Sequence, residues 1–429
     1  MIATTIVALM FLLMALGAPV GFTLIASGAL GIYWIGGFPA MAGILSSMPR
    51  DSAASYEFLT IPMFLLMAEF VLRSGIADDL FRAAAAWFGR LRGGLGVATA
   101  LAGAGFGAVC GSSTAAAATL SATSLPAMRK YGYEVRMASG VVAISGTLSM
   151  LIPPSIAMVI YALLADVSVA KMLIAGVVPG ILVTLTIALT VWFLAIRNPE
   201  HAPLTPAVGW SEKIGTLRLV LPMIVLMMAV TGVIYTGIAT PTEASAIGAF
   251  ASAVLYFWRG GSRKAGDVYQ IFARATRTAC MLAIIILGAH VFTTFFALTQ
   301  TTQIIIQWVG GLDVNRWVIM VVLIVIILIL GCFMDQMAIL VLTVPVLAPL
   351  LTHLGFDLVW FGVILIVTAE VGLVTPPMGL NCFVVSKYAN VRVGDVFWGV
   401  TPHVVAHLVL IAIMVAFPML SLWLPNQMN

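Results

Sequence analysis

Two stretches, Leu151-Ile152-Pro153-Pro154-Ser155 and Val374-Thr375-Pro376-Pro377-Met378-Gly379, decide how this chain folds. Each lies inside a long apolar segment. Proline has no N–H to donate, and the second proline of a pair disfavours the helical region for the first. An apolar segment carrying such a pair must therefore unwind there. The two pairs are 223 residues apart, and at that offset the window 110–179 maps onto 333–402 without a gap: Pro126 meets Pro349, Pro179 meets Pro402 and Gly132 meets Gly355. One Pro–Pro pair would read as an ordinary kink; two at equivalent positions read as a repeated folding unit.

The rest of the 429 residues gives that unit its surroundings. Hydrophobic residues make up 62% and charged residues 8% of the chain, far from the usual balance of a soluble domain, so it reads as an all-α polytopic membrane protein. Runs such as 317–330 and 404–420 are apolar on every face, which excludes the alternating strands of a membrane barrel. The net charge of +4 is spread thinly and gives no nucleic-acid footprint. Cys110, Cys280, Cys332 and Cys382 show no CxxC spacing, hence no disulfide framework or zinc site. The apolar start reads as a first membrane helix rather than a removed signal.

Spans are expected near 2–17, 19–36, 58–72, 137–164, 171–196, 217–236, 241–258, 278–299, 358–388 and 396–424. Two further segments, 94–128 and 317–351, are interrupted at Gly111-Ser112-Ser113 and at Asp335-Gln336. If each is a re-entrant helical hairpin, all the Lys and Arg except Arg50, Lys171 and Arg316 fall on one side, which is then cytoplasmic, with both termini outside. The hairpins open to opposite faces, so the repeat is inverted, with two hairpins and two broken transmembrane helices. Irregular backbone survives at membrane depth only where protein buries it or it lines a wet cavity. Freed carbonyls suit a hard cation, and the helix restarting after each break offers N–H groups to an anion.

At these residues the sequence resembles the large membrane subunit of the TRAP transporters, the tripartite ATP-independent periplasmic systems. The matching stretches are Cys110-Gly111-Ser112-Ser113-Thr114-Ala115, Leu151-Ile152-Pro153-Pro154-Ser155, Ala239-Thr240-Pro241-Thr242-Glu243-Ala244 and Thr375-Pro376-Pro377-Met378-Gly379-Leu380-Asn381. The resemblance spans nearly the whole chain. It implies a sodium-coupled, elevator-type importer of the bacterial inner membrane, with two or more Na+ ions, a small four-helix membrane subunit and a soluble periplasmic binding protein. The delivered substrate would be a carboxylate: a C4-dicarboxylate, sialic acid, keto acid or sugar acid. Carried over by position, one sodium site would use Ser112 and Ser113 with carbonyls near Ser149, Ile152 and Pro154. The other would use Asp335 with Gly372, Thr375 and Met378. Ser149 departs from the glycine expected of the family and confines its backbone more than glycine would.

Other residues have blander readings. Asp335 competes as a helix cap, and Glu370 reads as a buried hydrogen-bonded brace before a proton relay. Thr240-Pro241-Thr242-Glu243 has the form of a capping box. His290 reads as a satisfied core histidine; His403 and His407 have metal-pair spacing without a third ligand. No Arg or Lys falls at either tip or break, so an anionic substrate would be held by backbone N–H groups, Ser112, Ser113, Thr114, Ser155, Asn381 and the bound cations. Residues 76–91 read as an amphipathic cytoplasmic arm with a repeat mate at 302–313.

The expected division is 1–92 scaffold and arm, 93–165 first half of the transport core, 166–315 scaffold and arms, 316–390 second half of the core, and 391–429 a C-terminal scaffold helix. The motif GxxxxGK[ST] is absent, so an ion gradient must supply the energy. Competing classes are an ion-coupled organic anion transporter without a binding protein, a passive channel, and an intramembrane serine hydrolase pairing Ser112 or Ser113 with His290.

Overall fold

The computed structural model describes residues 2–206, 208–312 and 314–428, the side chains of residues 51–53 excepted. Its regular secondary structure is helical throughout the described residues. Six helices are long and apolar enough to cross a membrane, or seven if the pair Tyr56–Arg73 and Ile76–Phe88, bent by 65°, counts as one span. Large apolar side chains such as Ile238, Phe250 and Trp258 stand on the outside, as lipid contact requires. The chain is a multi-pass membrane protein.

One group of helices is built around two long members, Val20–Ala54 and Ala265–Leu298, which lie along each other. Gly21, Gly28 and Gly31 make this possible, because a Cβ on any of them would press on Ile284, Val291 or Phe295. The first of these helices overruns the span expected at 19–36. Only Gly37, at φ 69° and ψ −173°, interrupts it; glycine alone takes that conformation without strain, and the helix resumes beyond it. Thr60–Arg73 packs on Pro241–Trp258, joined by a 2.9 Å hydrogen bond between the Thr60 and Thr242 hydroxyls. The arm Ile76–Phe88 turns away at Gly75 and is tied back by an Asp79–Arg259 ion pair and by Arg259 Nε donating to the Ser74 carbonyl at 3.0 Å. Its mate is Thr301–Gly310, and the Asp313 end of that prediction lies outside the described residues.

The second group carries the interruptions. A first helix pair, Gly94–Cys110 and Ser113–Lys130, precedes a first broken helix, Val135–Thr147 and Ile156–Ala165. A second pair, Arg316–Phe333 and Gln336–His353, precedes a second broken helix, Leu358–Gly372 and Leu380–Ala389. The 223-residue offset holds in detail through the prolines. Ser112 and Asp335 each cap the outgoing arm of their pair, Glu134 and Asp357 each cap the next helix, and Gly132 and Gly355 both take positive φ. The Pro153–Pro154 and Pro376–Pro377 bonds are both cis.

After the prolines the gap-free register fails by one residue. Ser155 caps the restarting helix in the first half, accepting the Met158 N–H at 3.3 Å. Met378 stands in its place in the second half and has no hydroxyl to offer. The chain there uses one residue more, Gly379 at φ 44°, and the offset becomes 224 at the helix starts Leu380 and Val393.

Val135–Thr147 meets Val393–Ala416 at Gly140 and Gly399, where a Cβ on Gly140 would land in the Gly399 backbone and one on Gly399 in the Arg136 carbonyl. An Arg136–Asp395 ion pair of 2.9 Å closes that contact. Val393–Ala416 ends short of the expected 424 because Pro418 follows.

Candidate functional site

In both halves the helix pair backs directly onto its own broken helix. In the first, a Cβ on Gly107 would lie 2.8 Å from the Ser149 Cα, and Gly111 sits against the Ile156 side chain. In the second, a Cβ on Gly372 would lie 2.5 Å from the Gly331 Cα, and the Met378 N–H donates to the Cys332 carbonyl at 3.3 Å. Ser149, the departure from glycine, fits because Gly107 supplies the missing volume; its hydroxyl donates to the Gly146 carbonyl at 2.9 Å. The halves also exchange partners. Ser113–Lys130 packs on Leu380–Ala389, and Gln336–His353 packs on Ile156–Ala165, so each outgoing arm rests on the other half's restarted helix.

The residues singled out from sequence take the following places. Ser112 is half-buried, accepts the Ala115 N–H at 3.4 Å and lies 3.3 Å from the Thr114 hydroxyl, while Ser113 is buried. Ser149, Pro154 and Ser155 are buried, Ile152 is half-buried, and the Ser155 hydroxyl donates to the Met150 carbonyl. In the second half Gly372 is buried, Thr375 is half-buried and its hydroxyl donates to the Val371 carbonyl at 2.7 Å, and Met378 is exposed. Asp335 is exposed too, and its Oδ1 accepts the Ala338 N–H at 3.1 Å. Asn381 is fully buried. Among the described residues no backbone N–H bonds the Ile152, Pro154, Pro376 or Pro377 carbonyl.

One expectation needs correction, and the serine hydrolase reading loses its base. Glu370 is buried, but neither carboxylate oxygen has a hydrogen-bond partner among the described residues, so it is no hydrogen-bonded brace. His290 lines a cavity of about 560 Å³ with Glu57, Asp166 and Ser168, beside the end of Ile156–Ala165 remote from Gly111. Nine residues of helix, roughly 13 Å, separate those two ends, which takes His290 away from Ser112 and Ser113. His403 and His407 are buried, the latter bonded through Nδ1 to the His403 carbonyl at 2.7 Å; no group of three or more metal-binding side chains exists among the described residues. The box at Thr240 forms in full.

One residue escaped the sequence reading. Gln336, directly after Asp335, is 1% exposed with neither amide atom bonded. Its repeat partner Ser113 was a candidate, and that equivalence was the available signal.

The family profile described as "Tripartite ATP-independent periplasmic transporter, DctM component" matches residues 7–420. The chain is 35% identical over 379 residues to the C4-dicarboxylate TRAP transporter large permease protein DctM of Pseudomonas aeruginosa, covering 88% of each chain. It is 31% identical to the protein of that name from Vibrio cholerae, covering 98% of this chain and 97% of the relative. Among solved structures, the antimetabolite efflux pump MtrF of Neisseria gonorrhoeae shares the fold, with a TM-score of 0.64 at 14% identity, over 98% of this chain and 94% of that one.

Proposed function

This chain belongs to the DctM family of tripartite ATP-independent periplasmic transporters, and on that premise we propose that it is the sodium-coupled large permease of an organic-acid importer. The observation that carries the proposal is the matched pair of interruptions, each set against the helix pair of its own half. The Ile152, Pro154, Pro376 and Pro377 carbonyls that no N–H occupies, with the Ser112 hydroxyl and the Asp335 carboxylate at the two tips, supply oxygen atoms of the kind a hard cation binds, and the Gly372 carbonyl, which accepts the Thr375 N–H at 2.9 Å, keeps a second lone pair for it. Sodium would sit at Ser112, Ser113, Ser149, Ile152 and Pro154, and at Asp335, Gly372, Thr375 and Met378. The acid would sit between them, met by the N-termini of the restarted helices and of the outgoing arms.

On this reading the halves are inverted copies with re-entrant hairpins, the chain lies in the bacterial inner membrane, and the interrupted unit moves as an elevator. A small membrane subunit and a periplasmic binding protein complete the system, the latter delivering a C4-dicarboxylate or related acid. The contact of Val393–Ala416 with the first broken helix favours counting that helix with the moving unit rather than with the scaffold. The remaining group, built on Val20–Ala54 and Ala265–Leu298, is the frame.

The test is uptake into proteoliposomes holding the permease with its small subunit, with the binding protein outside. An imposed sodium gradient should drive accumulation above equilibrium, and a sodium ionophore should abolish it. Equal uptake without sodium removes the coupling, and equilibration without accumulation returns the passive channel.

A further inference from the structure

The polar side chains at the two interruptions differ in what they have left to offer. Ser112 and Asp335 accept backbone N–H groups of their own helices, while the Ser149, Ser155 and Thr375 hydroxyls donate to carbonyls of their own segments. Gln336 and Asn381 do neither. They are 1% and 0% exposed, and all four of their amide atoms lack partners. Buried polar atoms in folded proteins are almost always hydrogen-bonded, so each of these two amides is open to a partner from outside the chain. Both lie in the first turn of a helix, Gln336 opening the 18-residue helix Gln336–His353 and Asn381 second in the 10-residue helix Leu380–Ala389. The two helix starts flank the hydrogen bond from the Met378 N–H to the Cys332 carbonyl, which ties the second pair to the second break.

We propose that Gln336 and Asn381 are specificity-determining side chains of the substrate pocket, and that the acid they select carries at least one hydroxyl group. The chemistry follows from what an amide is. Each offers two N–H donors and one carbonyl acceptor. The donors, with the helix N-termini, satisfy a carboxylate, which can only accept. The amide oxygens need a donor in return, and a plain dicarboxylate has none. A hydroxy acid supplies both halves of the exchange, and a site built to bond a hydroxyl rejects the analogue lacking it. This inference rests on the transport reading above.

The experiment measures ligand-induced thermal stabilisation of the full chain in sodium-containing detergent, using acids paired by one hydroxyl: malate against succinate, lactate against propionate, 2-hydroxyhexanoate against hexanoate. The wild type should favour the hydroxylated member by about tenfold in apparent affinity, one hydrogen bond's worth. Gln336→Met and Asn381→Leu, close in shape and without polar atoms, should each erase that preference and leave the unliganded melting temperature unchanged or higher. A structural amide would instead lower it. Equal affinity within each pair for the wild type, or a preference surviving in both variants, overturns the proposal, and so does a Gln336→Met variant whose only change is in half-saturating sodium, because the amide would then be a cation ligand. Failure of every acid to bind the wild type with sodium present counts against both this proposal and the transport reading, and sodium-driven uptake into proteoliposomes then separates them. If uptake of any acid persists, only the inference falls.

Discussion

At Pro153-Pro154 the chain unwinds inside the protein, whereas at Pro376-Pro377 it unwinds at a surface. Pro153, Pro154 and Ser155 are buried; Pro376, Pro377 and Met378 are exposed, and so is Asp335 at the tip of the second helix pair. The local ingredients are nearly identical, a proline pair and a helix pair behind it, so the difference comes from what covers each break. Ser155 caps its own helix and stays inside, while Met378, unable to cap, turns outward and leaves that role to Gly379. Two equivalent halves in one chain thus occupy unequal environments. On the proposed mechanism, that inequality is what an alternating-access cycle exchanges.

Accessibility is the sharpest way to break this comparison. On a background without Cys110, Cys280, Cys332 and Cys382, Met378→Cys should react with a water-soluble thiol reagent at least ~100-fold faster than Ser155→Cys, since reaching the latter requires local opening. Equal rates would falsify the asymmetry, and a reversal on adding sodium and acid would sharpen it into a cycle. Next in size is backbone contact. Gly372→Ala should destabilise the protein by about 2 kcal/mol in denaturant melts, because Gly331 offers only main chain to yield; Ser149→Gly at the equivalent site relieves no clash and should cost about 1 kcal/mol through the lost hydrogen bond to Gly146 and the added backbone freedom. For the cations, Asp335→Asn should raise half-saturating sodium by roughly tenfold, and Ser112→Ala should do less, a hydroxyl being a weaker ligand than a carboxylate. If the serine matters more, the buried half holds the tighter ion. The smallest contrast concerns the two caps. Ser155→Ala should cost about 1 kcal/mol, and Gly379→Ala should cost more, because its positive φ and the nearby Phe397 ring both oppose a Cβ.

The interruptions were legible because proline acts locally: whatever surrounds Pro153 or Pro376, the helix cannot pass through the pair intact. Capping was legible for the same reason, and Thr240 and Asp335 both cap as their neighbours in sequence suggest. The unequal exposure was not, since it depends on which helices from elsewhere in the chain lie over each break. The one-residue slip after Pro377 was hidden because the prolines themselves stay in register and only a side-chain hydroxyl, present in Ser155 and absent from Met378, decides where the helix restarts. Glu370 and Gln336 were misjudged or missed for a related reason. Sequence shows that a polar group lies in an apolar run, but whether a partner comes within reach is a matter of packing.

The contact between Gly140 and Gly399 has a mechanical corollary. With main chain against main chain and no side chains between them to act as rollers, the two helices cannot slip along each other without first coming apart, and the Arg136–Asp395 clasp resists that separation at one end. On the proposed mechanism they would travel as one strut, and whatever displaces the first proline pair would carry the chain's last long helix with it.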